Sequence, residues 1–203
     1  VPTYTDIRNN PSAAWAESYI EYCTSLGIVS GKGNGIFDPM ADVTAAEAAK
    51  MVMPTLGYNA DIEGFKGIGW DINTMAKANT LKLLDNLQGE ISANTPVPRE
   101  QVAQLLFNAL DKPTVQYYEG TSANVWIGAG NVNDKYYETI LETKFNAEKV
   151  VGVVVANEYA DLYSTQVLNE GKTDLQEANG TIRSLDITSA LTDIGESRYA
   201  YII

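Results

Sequence analysis

The chain contains no histidine and a single cysteine, Cys23. Histidine is the commonest general base and a frequent zinc ligand, so its absence excludes Ser–His and Cys–His catalytic pairs and most zinc sites. One cysteine cannot form an intrachain disulfide, although a large enough domain can be exported without one. Cys23 falls within an apolar helical pattern, which predicts a buried structural thiol.

Basic residues are few, because 14 lysines and arginines stand against 26 aspartates and glutamates, a net charge of −12. Nucleic-acid binding needs a basic surface, so we expect no nucleic-acid partner. The sequence has no apolar run long enough to cross a bilayer, so we expect no membrane span. Its 203 residues, 45% of them hydrophobic, are enough for one large or two small domains with packed cores.

Arrangements that indicate catalysis or ion binding are also missing. The glycine-rich residues 31–35 lack the Lys-Ser/Thr end of a phosphate-binding loop, and Asp38 and Asp42 do not complete the calcium-loop pattern. Carboxylate pairs such as Glu158 and Asp161 are expected by chance among 26 acidic residues. We therefore expect a protein that is not an enzyme, with no catalytic residue, no cofactor and no metal site.

The first half of the chain has the periodicity of helices. A helix is predicted over residues 13–26, because apolar residues recur there at steps of four, four and three. These residues are Trp15, Tyr19, Cys23 and Leu26. Gly27 is placed to end this helix in a left-handed conformation. A second helix is predicted to start at Thr44, and Pro54 should bend it or tighten its last turn.

A glycine-rich loop separates these two helices. Its glycines are Gly27, Gly31, Gly33 and Gly35. Asn34-Gly35 is a strong turn dipeptide. Thr44 stands three residues before Glu47, the spacing of a capping box, in which each side chain bonds the backbone N–H of the other residue. The composition predicts an ordered loop that leads into a capped helix, and not a passive linker.

The helical pattern recurs in weaker form after residue 60. A helix predicted over 75–87 parallels the first helix, and the segment 97–100 parallels the segment 44–47. Such self-similarity indicates a repeat assembly whose neighbours bury each other's apolar faces. We predict a clear helix–loop–helix repeat over 1–59 and a degenerate one over 60–112.

The second helix of the degenerate repeat begins near a proline. Pro98 suits a first helical position because it has no N–H to satisfy, and Glu100 lies at the favourable end of the helix dipole. This helix is expected to bury an apolar stripe of Val102, Ala103, Leu106 and Leu110. The second copy has no counterpart of the glycine-rich loop.

Composition changes after Lys112, where β-branched and aromatic residues become frequent. Strands are predicted over 115–119, 125–127, 136–145, 150–156, 181–187 and 198–203. Asn179-Gly180 is a hairpin signal, and Gly152 marks a bulge or a closely packed site. A short helical turn is predicted over 188–193, whereas residues 160–178 carry no clear signal.

These elements together predict an α+β fold. Helical repeats are expected over 1–112, followed by an antiparallel β-rich domain over 113–203. The chain starts without a signal peptide and ends on a strand-like Tyr-Ala-Tyr-Ile-Ile, so we expect it to be a fragment of a longer protein.

The first repeat resembles the S-layer homology (SLH) family. The resemblance lies in Tyr4-Thr-Asp6-Ile7, Trp15-Ala16, Leu26-Gly27-Ile28, Ser30-Gly31, Gly35-Ile-Phe37-Asp-Pro39 and Thr44-Ala-Ala46-Glu47, in one register across about residues 4–57. Members of this family anchor bacterial surface proteins to cell-wall polysaccharide. Three repeats commonly form a pseudo-threefold spindle, so the resemblance implies a further repeat before Val1. The chain departs from the family at Ala45, where arginine is usual.

The resemblance implies a site for an anionic, pyruvylated secondary cell-wall polysaccharide. The glycan-binding residues that it implies are Asp6, Trp15, Gly31, Thr44, Glu47 and, in the second copy, Arg99. Such a site needs free N–H groups at a helix start, a loop allowing close approach, a cation and an aromatic platform. Arg99 matches the family arginine and is the expected bidentate partner of a carboxylate.

Each of these residues also has a structural interpretation. Trp15 suits a core position, and Gly31 suits a turn. Thr44 and Glu47 suit a capping pair, and Arg99 suits a surface ion pair worth about 0–1 kcal/mol. Each copy thus holds half of the expected site, because the first has the loop without the arginine and the second has the arginine without the loop.

The resemblance implies a non-enzymatic, extracellular protein of the cell wall or S-layer, anchored by several weak glycan contacts acting together. One alternative is a lattice protein that self-associates and whose degenerate repeats no longer bind glycan. Another is the anchor region of a larger surface enzyme. Val153-Val-Val-Ala-Asn157-Glu158 and Asp193-Ile-Gly-Glu-Ser-Arg-Tyr199 resemble the region C-terminal to the SLH repeats in some clostridial surface proteins.

Overall fold

The computed structural model describes residues 2–119, 124–128 and 138–203. The chain divides into two compact units, Val1–Ile140 and Leu141–Ile203. Helices dominate the first unit and an antiparallel sheet dominates the second, so the predicted α+β class is confirmed. The contacts divide the chain later than the composition change near Lys112, because Val115 packs within the helical core.

Four helices of the first unit lie within the spans predicted for the two repeats. They are α1 (Glu17–Ser25), α2 (Ala45–Val52), α3 (Trp70–Thr80) and α4 (Arg99–Ala109). A 3-10 turn, Ala14–Ala16, precedes α1, and another, Met53–Leu56, follows α2. The first helix and the tightened turn at Pro54 are therefore confirmed. The helix predicted over 75–87 lies earlier, at α3.

The main core lies among α2, α3 and α4. Its buried members are Ala48, Ala49, Val52, Met53, Leu56, Tyr58, Phe65, Ala78, Leu83, Leu105, Ala109 and Val115. Small alanines on α2 let the neighbouring helices approach closely, which favours dense packing. A second, smaller cluster of Tyr4, Ile7 and Ala13 packs with Ile20 and Phe37 beneath the glycine-rich loop.

The apolar face predicted for α1 is exposed, so that prediction is wrong. Trp15 and Tyr19 expose 74% and 67% of their surface, and Cys23 is half-buried. The inward face of α1 instead carries Ile20, which packs beside Tyr4. The apolar spacing predicted the helix correctly, but the N-terminal segment packs against the face that carries Ile20 and not the face that carries Tyr19.

A similar rotation occurs in α4. Leu105 and Ala109 are buried, whereas Leu106 exposes 49% of its surface and Ala103 is exposed. The predicted stripe is therefore partly wrong, with Val102 packed partly against the core. The positions of α2 and α3 decide which face of α4 is buried, and the apolar spacing within α4 does not give those positions.

A hairpin follows the helices. Strands β1 (Val115–Glu119) and β2 (Asn124–Gly128) pair antiparallel, which confirms both predicted strands. The Tyr117 hydroxyl donates to Glu63 Oε1 at 2.7 Å, and Lys77 Nζ lies 2.8 Å from Glu63 Oε2. These bonds join the hairpin to the helical part of the same unit.

Residues 140–145 form a helix, α5 (Ile140–Phe145), and not the predicted strand. Residues 136 and 137 of that prediction lie outside the described residues. The apparent alternation in this segment was misleading, because its Leu, Glu and Lys residues also favour helix. Asn146 follows the helix with a φ of 48°, in the left-handed region.

The second unit contains a four-stranded antiparallel sheet in the order β5-β4-β3-β6. Its strands are β3 (Glu148–Asn157), β4 (Thr173–Gln176), β5 (Ile182–Leu185) and β6 (Ser197–Ile202). Strands β3, β5 and β6 and the 3-10 turn Leu191–Asp193 confirm predicted elements. Strand β4 lies within the segment that had no clear signal.

One face of this sheet forms the core of the second unit. Val150, Val154, Leu175 and Leu185 are buried there. Gly152 is a close-packing site, because a Cβ there would lie 2.6 Å from the Gln176 carbonyl oxygen. The register shift lies between Val154 and Ala156 instead. The hairpin turn predicted at Asn179-Gly180 connects β4 to β5, with Gly180 at a φ of 86°.

Candidate functional site

Asp6 holds the glycine-rich loop in place. Its carboxylate accepts the Phe37 N–H at 3.0 Å and the Asp38 N–H at 2.7 Å. The bond from Phe37 is the main reason that the pKa of Asp6 lies below its ordinary value, with a smaller contribution from Asp38. Asp6 therefore joins the N-terminal segment to the middle of the loop.

Gly31 is a point of close approach. Its N–H donates to the Tyr4 hydroxyl at 2.9 Å, and the Tyr4 ring packs against Phe37 with centroids 5.1 Å apart. A Cβ at Gly31 would collide with both the Tyr4 ring and the Ile36 carbonyl oxygen. Glycine is required here by space and not by a positive φ.

Helix α2 begins with the predicted capping box, which is confirmed. The Glu47 N–H donates to Thr44 Oγ1 at 3.3 Å, and the Thr44 N–H donates to Glu47 Oε2 at 3.0 Å. Burial raises the pKa of Glu47, but the Thr44 N–H and Lys32 outweigh it, so the pKa lies below its ordinary value.

The next N–H groups at this helix start also have partners. Ala45 donates to the Thr95 carbonyl oxygen at 2.8 Å, and Ala46 donates to the Ala93 carbonyl oxygen at 3.1 Å. An anion site at a helix start uses free N–H groups. Since these groups bond within the protein, the start of α2 does not offer them to a ligand.

A groove of about 500 Å³ lies beside the outward face of α2. The loop forms one wall, α2 forms another, and the first residue of α3 completes it. The lining residues are 28–33, 37–39, 41–43, Glu47, Lys50, Met51 and Trp70.

The two faces of α2 have separate roles. Ala45, Ala48, Ala49 and Val52 are buried, at spacings of three and four residues. Glu47, Lys50 and Met51 line the groove at the same spacings. Position 45, where the SLH family usually has arginine, thus belongs to the inward face and is completely buried.

Three lysines lie at or near the groove in different electrostatic settings. Lys32 pairs with Glu47 at 3.1 Å, and Lys66 pairs with Asp61 at 2.9 Å. Lys50 Nζ lies 4.8 Å from the centroid of the Trp70 ring and 3.5 Å from Ser30 Oγ. Within the described part of the chain, no carboxylate lies within ion-pair distance of Lys50.

The charge on Lys50 is therefore poorly compensated. Burial lowers the pKa of Lys50, the nearby charge of Lys66 lowers it further, and Glu47 opposes both effects. The Trp70 ring supplies a cation–π contact that favours the charged form. An anion entering the groove would meet an ammonium group that needs a counter-charge.

The residues predicted for glycan binding lie in three settings. Gly31 and Glu47 line the groove. Asp6 and Thr44 lie behind its walls, where they hold the loop and the helix start. Trp15 is exposed in the 3-10 turn before α1 and is not among the lining residues.

Arg99 is also outside the lining. It is exposed, it is the first residue of α4, and it forms no ion pair with any described residue. Thr44 and Pro98 are the N-cap residues of α2 and α4, so they correspond, and Arg99 corresponds to Ala45. The predicted alignment of residues 97–100 with 44–47 is therefore wrong by one residue, because residues 98–101 align with 44–47.

Sequence reasoning missed Lys50 and Trp70. Lys50 was detectable, because it lies three residues after Glu47 and so on the same side of α2. Trp70 follows Gly69, which precedes α3 with a φ of 76°, but no local signal indicated that this tryptophan reaches the first repeat.

The S-layer homology domain family matches residues 3–49. A cell surface protein of Thermoanaerobacter kivui is 34% identical over 113 residues, which are 56% of this chain and 14% of that protein. A middle cell wall protein of Brevibacillus brevis is 29% identical over 108 residues, which are 53% of this chain and 9% of that protein. A surface layer protein of Brevibacillus choshinensis is 29% identical over 109 residues, which are 54% of this chain and 8% of that protein.

The chain thus spans a small part, 8–14%, of the length of these relatives. No solved structure matches it. None of its described helices is both long enough and apolar enough to cross a membrane. Residues 3–49 match the S-layer homology domain family, and about half of the chain is similar to proteins named for the cell surface, the cell wall and the surface layer. These matches indicate an extracellular, cell-wall-associated location.

Proposed function

We propose that this chain anchors a surface protein non-covalently to the cell wall by binding an anionic secondary cell-wall polysaccharide in the groove. The observation that carries the proposal is that Lys50 and Trp70 line the same groove in contact with each other, and that Lys50 is half-buried without an ion-pair partner among the described residues. An unpaired ammonium group attracts an anion at close range, although Asp38, Asp42 and Glu47 also line the groove. The tryptophan ring offers an apolar face to a sugar.

The groove residues have distinct parts in this proposal. Gly31 keeps the loop close to the ligand, and Glu47 positions Lys32. Asp6 and Thr44 hold the two walls. The pyruvylated form of the polysaccharide, which the family resemblance implies, presents a carboxylate of the required charge.

Trp15 and Arg99 lie outside the groove. We assign them contacts with the sugar residues that extend beyond it, since a polysaccharide is longer than one site. Such contacts are individually weak, and their combination in one chain raises the effective affinity. The proposed function is attachment and not catalysis, in keeping with the surface-protein names of the relatives.

Cosedimentation with cell-wall sacculi tests this function. Sacculi from a Thermoanaerobacter or Brevibacillus strain are prepared with their polysaccharide and after its chemical removal. We expect the chain to sediment with the first preparation and to stay in solution with the second, and purified polysaccharide should compete. A chain that stays in solution with both preparations contradicts the proposal.

Self-association is a second candidate function, favoured by the sheet of the second unit. On its outward face, Val151, Tyr199 and Ile182 expose 51%, 56% and 45% of their surface. Val151 on β3 lies directly opposite Tyr199 on β6. Exposed apolar side chains grouped on one face often mark a contact surface. Sedimentation velocity over a range of concentrations tests for it, and a constant monomer contradicts it.

A further inference from the structure

We infer that Lys50, held over the Trp70 ring, binds the anionic group of the polysaccharide in place of the arginine that is missing at position 45. The inference rests on the proposed function and names the residue that carries its chemistry. It also names the kind of sugar that the site selects, one with an anionic substituent close to an apolar ring face.

Position 45 has no access to the groove. Ala45 is completely buried, and its N–H is bonded to Thr95. It lies on the same face of α2 as Ala48, Ala49 and Val52, which are all buried. An arginine there would have to displace the segment around Thr95 before it reached a ligand.

Lys50 differs from the other two lysines in that none of the described carboxylates forms an ion pair with it. Glu47 already neutralises Lys32, and Asp61 neutralises Lys66. Lys50 is half-buried, and in the described part of the chain its contacts are the Trp70 ring and the Ser30 hydroxyl. A half-buried ammonium without a counter-ion gains more from an incoming anion than a paired one does.

The geometry limits the ligand. The ammonium group lies 4.8 Å from the centre of the tryptophan ring, so an anionic oxygen that it bonds at about 2.8 Å lies within about 8 Å of that centre. Lysine is a point charge, unlike the planar fork of arginine. The site therefore accepts a carboxylate or a phosphate oxygen without needing a bidentate partner.

The test measures binding of the full chain to polysaccharide-bearing sacculi. Lys50→Gln should weaken binding about tenfold or more, as expected for the loss of a charge-assisted hydrogen bond. Lys66→Gln is the matched control and should stay within about twofold, because Lys66 is already paired with Asp61. Arg99→Gln removes one weak contact outside the groove and should weaken binding less than Lys50→Gln does. Equal thermal midpoints for these variants show that folding is unaffected.

The outcomes separate this inference from the proposed function. The inference is wrong, and the proposed function stands, if the wild-type chain and Lys50→Gln bind equally well while Arg99→Gln loses binding. If the wild-type chain does not bind, both are wrong. Ala45→Arg in the Lys50→Gln background should not restore binding, and its restoration would also overturn the inference.

Two further measurements identify the anion. In one, the polysaccharide has had its carboxyl groups reduced to alcohols, and in the other, inorganic phosphate competes with the untreated polysaccharide. If reduction abolishes the Lys50-dependent binding, the anion is a carboxylate. If reduction leaves binding unchanged but inorganic phosphate competes, the anion is a phosphate. Binding that is insensitive to both contradicts an anion contact at Lys50.

Discussion

Helices α2 and α4 are the second helices of the two predicted repeats, yet their first turns are built differently. Thr44 and Glu47 close a reciprocal capping box on α2. Pro98 precedes α4 and provides no side-chain cap. The third residue of α4 is Gln101, whose Oε1 is buried without a partner among the described residues.

The surroundings of the two helices differ as well. The glycine-rich loop lies beside α2 and creates the groove, whereas α4 has no such loop in its own repeat and leaves Arg99 exposed. A helix start alone therefore does not create a groove in this chain. The groove forms where the loop and the start of α3 enclose the outward face of α2.

The largest expected effect comes from breaking the loop that distinguishes the two repeats. Gly31→Ala should lower the free energy of unfolding by about 1–3 kcal/mol, because its Cβ meets the buried Tyr4 ring and a backbone carbonyl. Thermal or urea unfolding measures this change, and polysaccharide binding should fall with it.

Gly27→Ala is the control for the loss of a glycine from the loop. Gly27 has a φ of 70°, but a Cβ there meets nothing within 4 Å. We expect a cost of about 1 kcal/mol from backbone strain alone, with binding retained. Equal losses of binding in the two variants would show that close packing at Gly31 does not shape the groove.

A smaller effect is expected from giving α4 the cap of α2. The Gln101 N–H now donates to the Pro98 carbonyl oxygen at 3.0 Å. Pro98→Ser introduces a hydroxyl that can share this N–H and a backbone N–H that can donate to the buried Gln101 Oε1. We expect a gain of about 0.5–1 kcal/mol in the free energy of unfolding. Pro98→Ala supplies the N–H without the hydroxyl and should gain less. A loss of stability in Pro98→Ser would show that proline rigidity matters more than the cap.

The smallest effect concerns pH. The pKa of Glu47 lies below its ordinary value in the folded chain, so its charge contributes stability above the unfolded pKa, and this contribution is lost as the pH falls through the lowered folded pKa. The matching residue of α4, Gln101, does not titrate. Thermal midpoints of wild type and Glu47→Gln should therefore differ at pH 7 and converge in acid below about pH 4.5. A difference that stays constant across this range would contradict the assignment.

Much of the local structure was predictable because its partners are close in the chain. The capping box joins Thr44 and Glu47, Gly27 follows the end of α1 with a positive φ, and Asn179-Gly180 turns β4 into β5. Each feature depends on a few neighbouring residues, so composition and spacing contain the necessary information. The motif around these residues also identified the family over 3–49.

The sequence by itself thus determined the family that residues 3–49 match, the helical first half, most of the strands and the capped start of α2. Tertiary structure decided which face of α1 is buried, that residues 140–145 form a helix, and that Trp70 meets Lys50. Those two residues are twenty positions apart, and their contact depends on how α2 and α3 pack. Apolar periodicity shows that a helix has an inward face, whereas the neighbouring elements select that face and leave Lys50 in the groove.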